Sequence, residues 1–154
     1  MKKMLSIYLL LAMSTLTVCG QGNNSDNNTQ DRELPNGTMY LHIGGRTLSA
    51  TLVDNSATKR LKELLAQNSI IVNMSDYGGF EKVGSLGASL PRNDTQTTTS
   101  SGDIILYNGN QLVIFYGSNS WSYTRLGKID NSTQQELRSI LGSGNVTVTL
   151  SLSQ

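Results

Sequence analysis

From residue 38 onward the chain runs in short stretches of alternating apolar and polar positions separated by Gly, Asn and Asp, a pattern that predicts an all-β sandwich or barrel. The cleanest stretch is 145–152, where Val146, Val148, Leu150 and Leu152 alternate with Thr147, Thr149 and Ser151. Successive side chains of a strand point to opposite faces, so one face of this strand is buried and the other wet. Strands are predicted over 38–43 and 46–53, joined by Gly44-Gly45, a two-residue linker suited to the positive φ of a tight hairpin. Two more follow over 70–75 and 80–83. The spans 103–107 and 111–116 flank Asn108-Gly109-Asn110, the strongest hairpin signal in the chain, and a further strand covers 122–129.

Two segments switch to helical spacing. Asn55 or Ser56 caps a helix running to about residue 68, with Ala57, Leu61, Leu64 and Leu65 on one buried face. Ser132 with Gln135 offers a capping box for a second, in which Leu137, Ile140 and Leu141 form the stripe and Gly142 stops the helix. The expectation is therefore a mainly β domain: a closed eight-stranded barrel with two short helices capping its open ends. Closure removes the edges that an open sheet of this size would have to protect. The Thr-rich stretch 86–101 is expected to be a long surface loop, of a length that is often functional.

The first residues read as an address. Lys2 and Lys3 precede an apolar run over 5–18, too short to span a bilayer, which stops at Cys19. Leu16-Thr17-Val18-Cys19 resembles a bacterial lipobox, in which the Cys is lipidated and becomes the first residue of the mature chain; Val18 departs from the small residue usual there, which leaves conventional cleavage near Gly20 or Gly22 open. The organisation expected is a signal peptide over 1–18, a flexible polar tether over 19–37 and a barrel over 38–154. The expected location is the bacterial cell envelope, with Cys19 as a lipid anchor, the alternative being a secreted or periplasmic soluble form. The stretch 20–33 has no large apolar residue and cannot offset its chain entropy by burial.

Composition narrows the chemistry. Twelve Lys plus Arg against eleven Asp plus Glu leave no basic footprint for nucleic acid. One Cys and one His supply neither an internal disulfide nor a zinc site, and no glycine-rich phosphate loop is present, so no metal and no cofactor are expected. Ser56-Ala57-Thr58-Lys59 matches a Ser-x-x-Lys nucleophile pattern, but helix capping by Ser56 explains the same residues. A monomer is expected.

The runs Tyr77-Gly78-Gly79-Phe80-Glu81-Lys82-Val83-Gly84, Gly102-Asp103-Ile104-Ile105-Leu106-Tyr107, Phe115-Tyr116-Gly117 and Trp121-Ser122-Tyr123-Thr124-Arg125-Leu126-Gly127 resemble the bacterial cyclophilin-like fold family. That family comprises small barrel domains of cyclophilin architecture without a settled activity. The resemblance covers roughly 38–152 and implies the barrel already reached from periodicity. It does not imply prolyl isomerisation, since the Arg-to-Phe spacing and the Phe-Met-Gln-type segment of true cyclophilins are missing and the lone His42 lies in the first strand.

The candidate binding residues are Phe80, Glu81, Phe115, Tyr116, Trp121, Tyr123 and Arg125. The aromatics would line an apolar surface, with Arg125 free to stack on or pair with a ligand. Phe115 reads as barrel core in preference to a site residue, and Trp121, after the turn-like Gly117-Ser118-Asn119-Ser120, reads equally as structure or as a site residue near a loop mouth. Glu81 in a short apolar strand needs a partner, and Arg125 is the expected one, with Trp121 beside the pair. Asp103 reads as a turn residue and His42 as an outer-face residue or the acceptor of a local hydrogen bond. The expected function is capture of a small molecule or peptide segment without catalysis; the alternative is a divergent prolyl isomerase.

Overall fold

The computed structural model describes residues 37–154; the segment 1–18, Cys19 and the tether up to residue 36 lie outside the described residues. Strand β1 (Thr38–Ile43) and strand β2 (Arg46–Leu52) form the first hairpin, and Gly44 and Gly45 between them take φ of +54° and +77°. Gly37, at the end of the expected tether, already belongs to this unit: its carbonyl accepts the Leu52 N–H at 2.6 Å. Helix α1 (Ser56–Leu65) follows, then β3 (Ile70–Tyr77), β4 (Glu81–Ser85), β5 (Thr95–Thr98), β6 (Asp103–Tyr107), β7 (Gln111–Phe115), β8 (Ser120–Ile129), α2 (Gln134–Leu141) and β9 (Val146–Ser151).

The strands form one antiparallel sheet in the order β2-β1-β9-β3-β4-β7-β6-β8-β5, and β2 also pairs with β8. That pairing closes the first eight strands of the order into a barrel. Closure brings backbones very near one another at Gly127, where a Cβ would sit 2.4 Å from the Thr51 carbonyl oxygen. Only glycine fits that seam without a backbone shift.

The expected eight-stranded barrel with two helices is present, with one strand more than expected. Within 86–101, read as loop, Thr95–Thr98 pairs with the first half of β8, Thr95 opposite Tyr123 and Thr98 opposite Ser120. Its threonines suit an exposed strand, but without an alternating apolar face periodicity gives no sign of it. The other difference is at α2, whose cap is Thr133 with Glu136 and not Ser132 with Gln135. The Thr133 N–H donates to the Glu136 carboxylate at 2.8 Å and the Glu136 N–H donates back to the Thr133 hydroxyl at 3.2 Å. Ser132 is occupied elsewhere, donating to the Asp130 carbonyl.

At α1, Asn55 caps as expected and its amide also donates to the Arg125 carbonyl at 2.8 Å, docking the helix start on β8. Leucines of both helices (Leu61, Leu65, Leu137, Leu141) join Met39, Leu41, Ile104, Leu106, Leu112, Ile114, Val148 and Leu150 in one core. His42 donates to or accepts from Thr47 and Ser151 on either side, the local role expected of it.

Candidate functional site

Strands β6 and β7 are apolar on both faces, and β4 and β8 flank them in the sheet. Their inward residues, among them Leu112, Ile114, Ile104, Leu106 and Leu126, belong to the barrel core. Their outward residues form a second cluster of Ile105, Val113, Phe115 and Tyr123, with Phe80 and Val83 packed against it. An outer face this apolar must be covered, and its own aromatic rings do most of the covering. Phe80 stacks on Phe115 at 6.4 Å, Tyr123 meets Phe115 edge-on at 5.8 Å, and Tyr77 and Tyr107 extend the array at either end. The result is a continuous run of five rings outside the barrel.

Above this run lies an open concavity of about 370 Å³. Glu81 and Val83 of β4 and Val113 of β7 form its floor, Tyr107 and Tyr123 one wall, and Tyr77 and Trp121 its outer lips. Tyr77 is 64% exposed and Trp121 58%, so both rings stand free at the rim. Asn119, in the turn before β8, adds a polar edge and donates to the Tyr123 hydroxyl at 3.0 Å.

Glu81 is the unusual element of this floor. Only 7% of the residue is exposed, and its Oε2 finds no hydrogen-bond partner. Burial pushes its carboxyl up to about 7 from the ordinary 4.5, because an apolar surrounding disfavours the ionised form. The Tyr123 hydroxyl is likewise raised, first by burial and then by the Glu81 charge.

Five of the seven expected residues therefore meet at one place: Glu81, Trp121 and Tyr123 line the concavity, while Phe80 and Phe115 lie beneath it. Phe115 is fully buried, but under the outer face and not inside the barrel as its core reading had it. The other two expectations need correction. Arg125 does not face Glu81: β7 and β6 lie between their strands, and the guanidinium bonds Asp103 at 2.9 Å. Asp103, buried and further held by the Ser100 N–H at 2.8 Å and by Lys128 at 3.5 Å, is thus both the turn residue expected and the true partner of Arg125. Arg125 is therefore paired with Asp103 and does not line the aromatic concavity.

Tyr116 is the second correction, since one step along a strand turns its ring to the opposite face, into the barrel core. There it donates to Asp76, which also accepts from the fully buried Lys82 at 2.9 Å, and Lys82 reaches the Gly144 carbonyl at 2.7 Å. Burial and the Asp76 contact raise the Tyr116 hydroxyl to about 12, while the same hydroxyl and Lys82 lower the Asp76 carboxyl. Lys82 and Arg138 each stand near the Tyr116 ring, at 5.6 and 5.8 Å from its centroid.

Sequence reasoning missed Tyr77, Val83, Tyr107, Val113 and Asn119 as lining residues. A signal for Tyr107 and Val113 existed in the unbroken apolar runs Ile104-Ile105-Leu106-Tyr107 and Leu112-Val113-Ile114-Phe115, which mark strands buried on both faces. Among the described residues no three His, Cys, Asp or Glu side chains gather into a metal-binding group.

A model of the Cyclophilin-like family matches residues 41–151 of this sequence. The solution structure of a hypothetical protein from Archaeoglobus fulgidus superposes with a TM-score of 0.58 at 13% identity, covering 80% of this chain and 99% of that one. Likeness at that identity is a likeness of fold. Among curated proteins no relative matches.

Proposed function

The chain belongs to the Cyclophilin-like family, and from that premise we propose that its barrel is a binding domain, taking a small molecule or a short peptide segment on the outer face of β4, β7, β6 and β8. The observation that carries this reading is the aromatic concavity, with two rings left free at its rim. Packing within the domain gives no reason to leave Tyr77 and Trp121 standing over an apolar floor, whereas ligand sites are concave, mostly apolar and marked by a few polar groups. Glu81 is the one carboxyl in the lining, and no second acid, Ser, Cys, His or Lys stands beside it to share acid and base roles.

Trp121 is the chain's single tryptophan, so its emission reports on this rim alone. A screen of small fragments and short peptides is expected to yield binders that shift that emission. Their affinity should weaken about three- to tenfold in Tyr77→Ala, the range for one lost aromatic contact. Binders that are indifferent to Tyr77→Ala would place capture elsewhere and remove this reading.

The domain is proposed to work outside the cytoplasm, tethered through lipid on Cys19. The lipobox-like Leu16-Thr17-Val18-Cys19 and the polar stretch behind it support this placement. With the signal removed before Cys19 both signal lysines leave, so electrostatic attraction to anionic lipid is absent and retention must come from acyl chains. Cys19→Ser is expected to move the protein from the detergent phase to the aqueous phase on partitioning. Unchanged partitioning would count against the lipid.

A further inference from the structure

The binding reading leaves the nature of the ligand open, and Glu81 narrows it. A carboxylate this buried is costly unless something satisfies it, and no described residue satisfies Oε2. The groups facing it from each neighbouring element are known. Tyr77 of β3 is its register partner, Phe115 of β7 lies opposite, and Tyr107 of β6 and Tyr123 of β8 stand across the floor. Tyr116 is close enough to sense the Glu81 charge from the next position along its strand. All the titratable neighbours are phenols, and no Lys or Arg lines the concavity. Asp103 and Arg125, further along the same face, are paired with each other. Among the described residues the site thus holds an acidic group with no counter-charge.

Its walls favour the same partner. Tyr77, Tyr107, Tyr123 and Trp121 surround the opening, and aromatic faces attract cations through their quadrupole, most strongly where water is displaced. Arranged around a carboxyl group, such rings favour positive charge over an anion.

We propose that the concavity binds an organic cation, a primary or quaternary ammonium compound, with Glu81 as its counter-ion and the tyrosine and tryptophan rings as its walls. This rests on the reading of the concavity as a binding site and names the class of its ligand. Since burial holds the Glu81 carboxyl near 7, binding of a cation selects the ionised form and is coupled to loss of a proton. Affinity then rises with pH, by roughly tenfold between pH 6 and pH 8, and levels off above that.

Three probes of matched size separate the possibilities on the intact chain: benzylammonium, benzyl alcohol and benzoate, titrated against Trp121 emission and ligand-observed NMR. The cation is expected to bind about tenfold or more tightly than the alcohol at pH 8, and benzoate more weakly than either. The preference should shrink toward unity at pH 5 and vanish at all pH values in Glu81→Gln, which keeps the side-chain shape. Equal binding of cation and alcohol overturns the cation inference while leaving capture of small molecules intact. Affinity that falls as pH rises overturns it also, marking protonated Glu81 as a hydrogen-bond donor to a neutral ligand. Absence of binding by all three probes overturns both this inference and the binding reading beneath it.

Discussion

Asp76→Ala is expected to destabilise the barrel by about 3 kcal/mol. The reason lies with its partner. Lys82 is wholly buried, and its ammonium has two oxygens in reach, Asp76 Oδ1 and the Gly144 carbonyl. Removing the carboxylate strands a positive charge inside the protein, a situation that costs about 3 to 5 kcal/mol. The lower end applies because the Asp76 side chain is 27% exposed and water can enter where it stood. Lys82→Met should cost far less, about 1 kcal/mol, since it keeps the volume of the stem, removes the buried charge and leaves Asp76 with the Tyr116 hydroxyl, the Gly79 N–H and solvent. Urea unfolding of both variants decides it. A larger loss in Lys82→Met than in Asp76→Ala would show that packing of the stem, and not the ion pair, holds this part of the barrel.

The second large effect is a pH dependence carried by Glu81. Its folded-state carboxyl is near 7 and its ordinary value 4.5. Below pH 4.5 both folded and unfolded chains hold the proton and the group contributes no penalty. Between 4.5 and 7 the unfolded chain has lost the proton while the folded chain retains it, so stability falls as pH rises. Above 7 the folded carboxylate ionises and the loss levels off at about 3 kcal/mol, from 1.36 kcal/mol for each unit of difference. Glu81→Gln has no such limb. The stability difference between Glu81→Gln and the natural chain should therefore grow by about 3 kcal/mol in favour of the variant from pH 4.5 to pH 8, with other titrating groups cancelling in the subtraction. A flat difference over that interval would mean that Glu81 is solvated and ionises normally in the folded protein.

Both effects act on the two buried charged residues of β4, Glu81 and Lys82. Period-two alternation and glycine turns place β1, β6, the Gly44-Gly45 hairpin and the Asn108-Gly109-Asn110 hairpin to the residue or nearly so. Burial of one face is a local property, and local pattern finds it. Partner choice is not local. Glu81 and Lys82 are adjacent charges of opposite sign on opposite faces of β4, and each needed a partner from a different strand: Asp76 answers Lys82, and Glu81 has none. The expected pairing with Arg125 followed sound reasoning about buried charge. It failed because strand order sets which side chains meet, and β7 and β6 intervene. Tyr116 failed for a smaller reason, a single step of alternation that carries it through the wall of the barrel. The aromatic concavity itself was half visible: Trp121, Tyr123 and Glu81 stood out as types, whereas Tyr77 and Tyr107 reach the site only because the ends of β3 and β6 are brought beside them.

The seam at Gly127 bears on how the chain reaches this state. Hairpins such as β1–β2 and β6–β7 join near neighbours, but β2 meets β8 and β1 meets β9 only when segments separated by most of the domain come together. Pairings between distant segments incur the entropy of closing a long loop before any contact compensates for it, which places folds of this kind among the slow two-state folders. Until the seam closes, β2 and β8 are open edges, each able to pair with a strand of another chain. The same glycine that lets the backbones close leaves no side chain there to guard them.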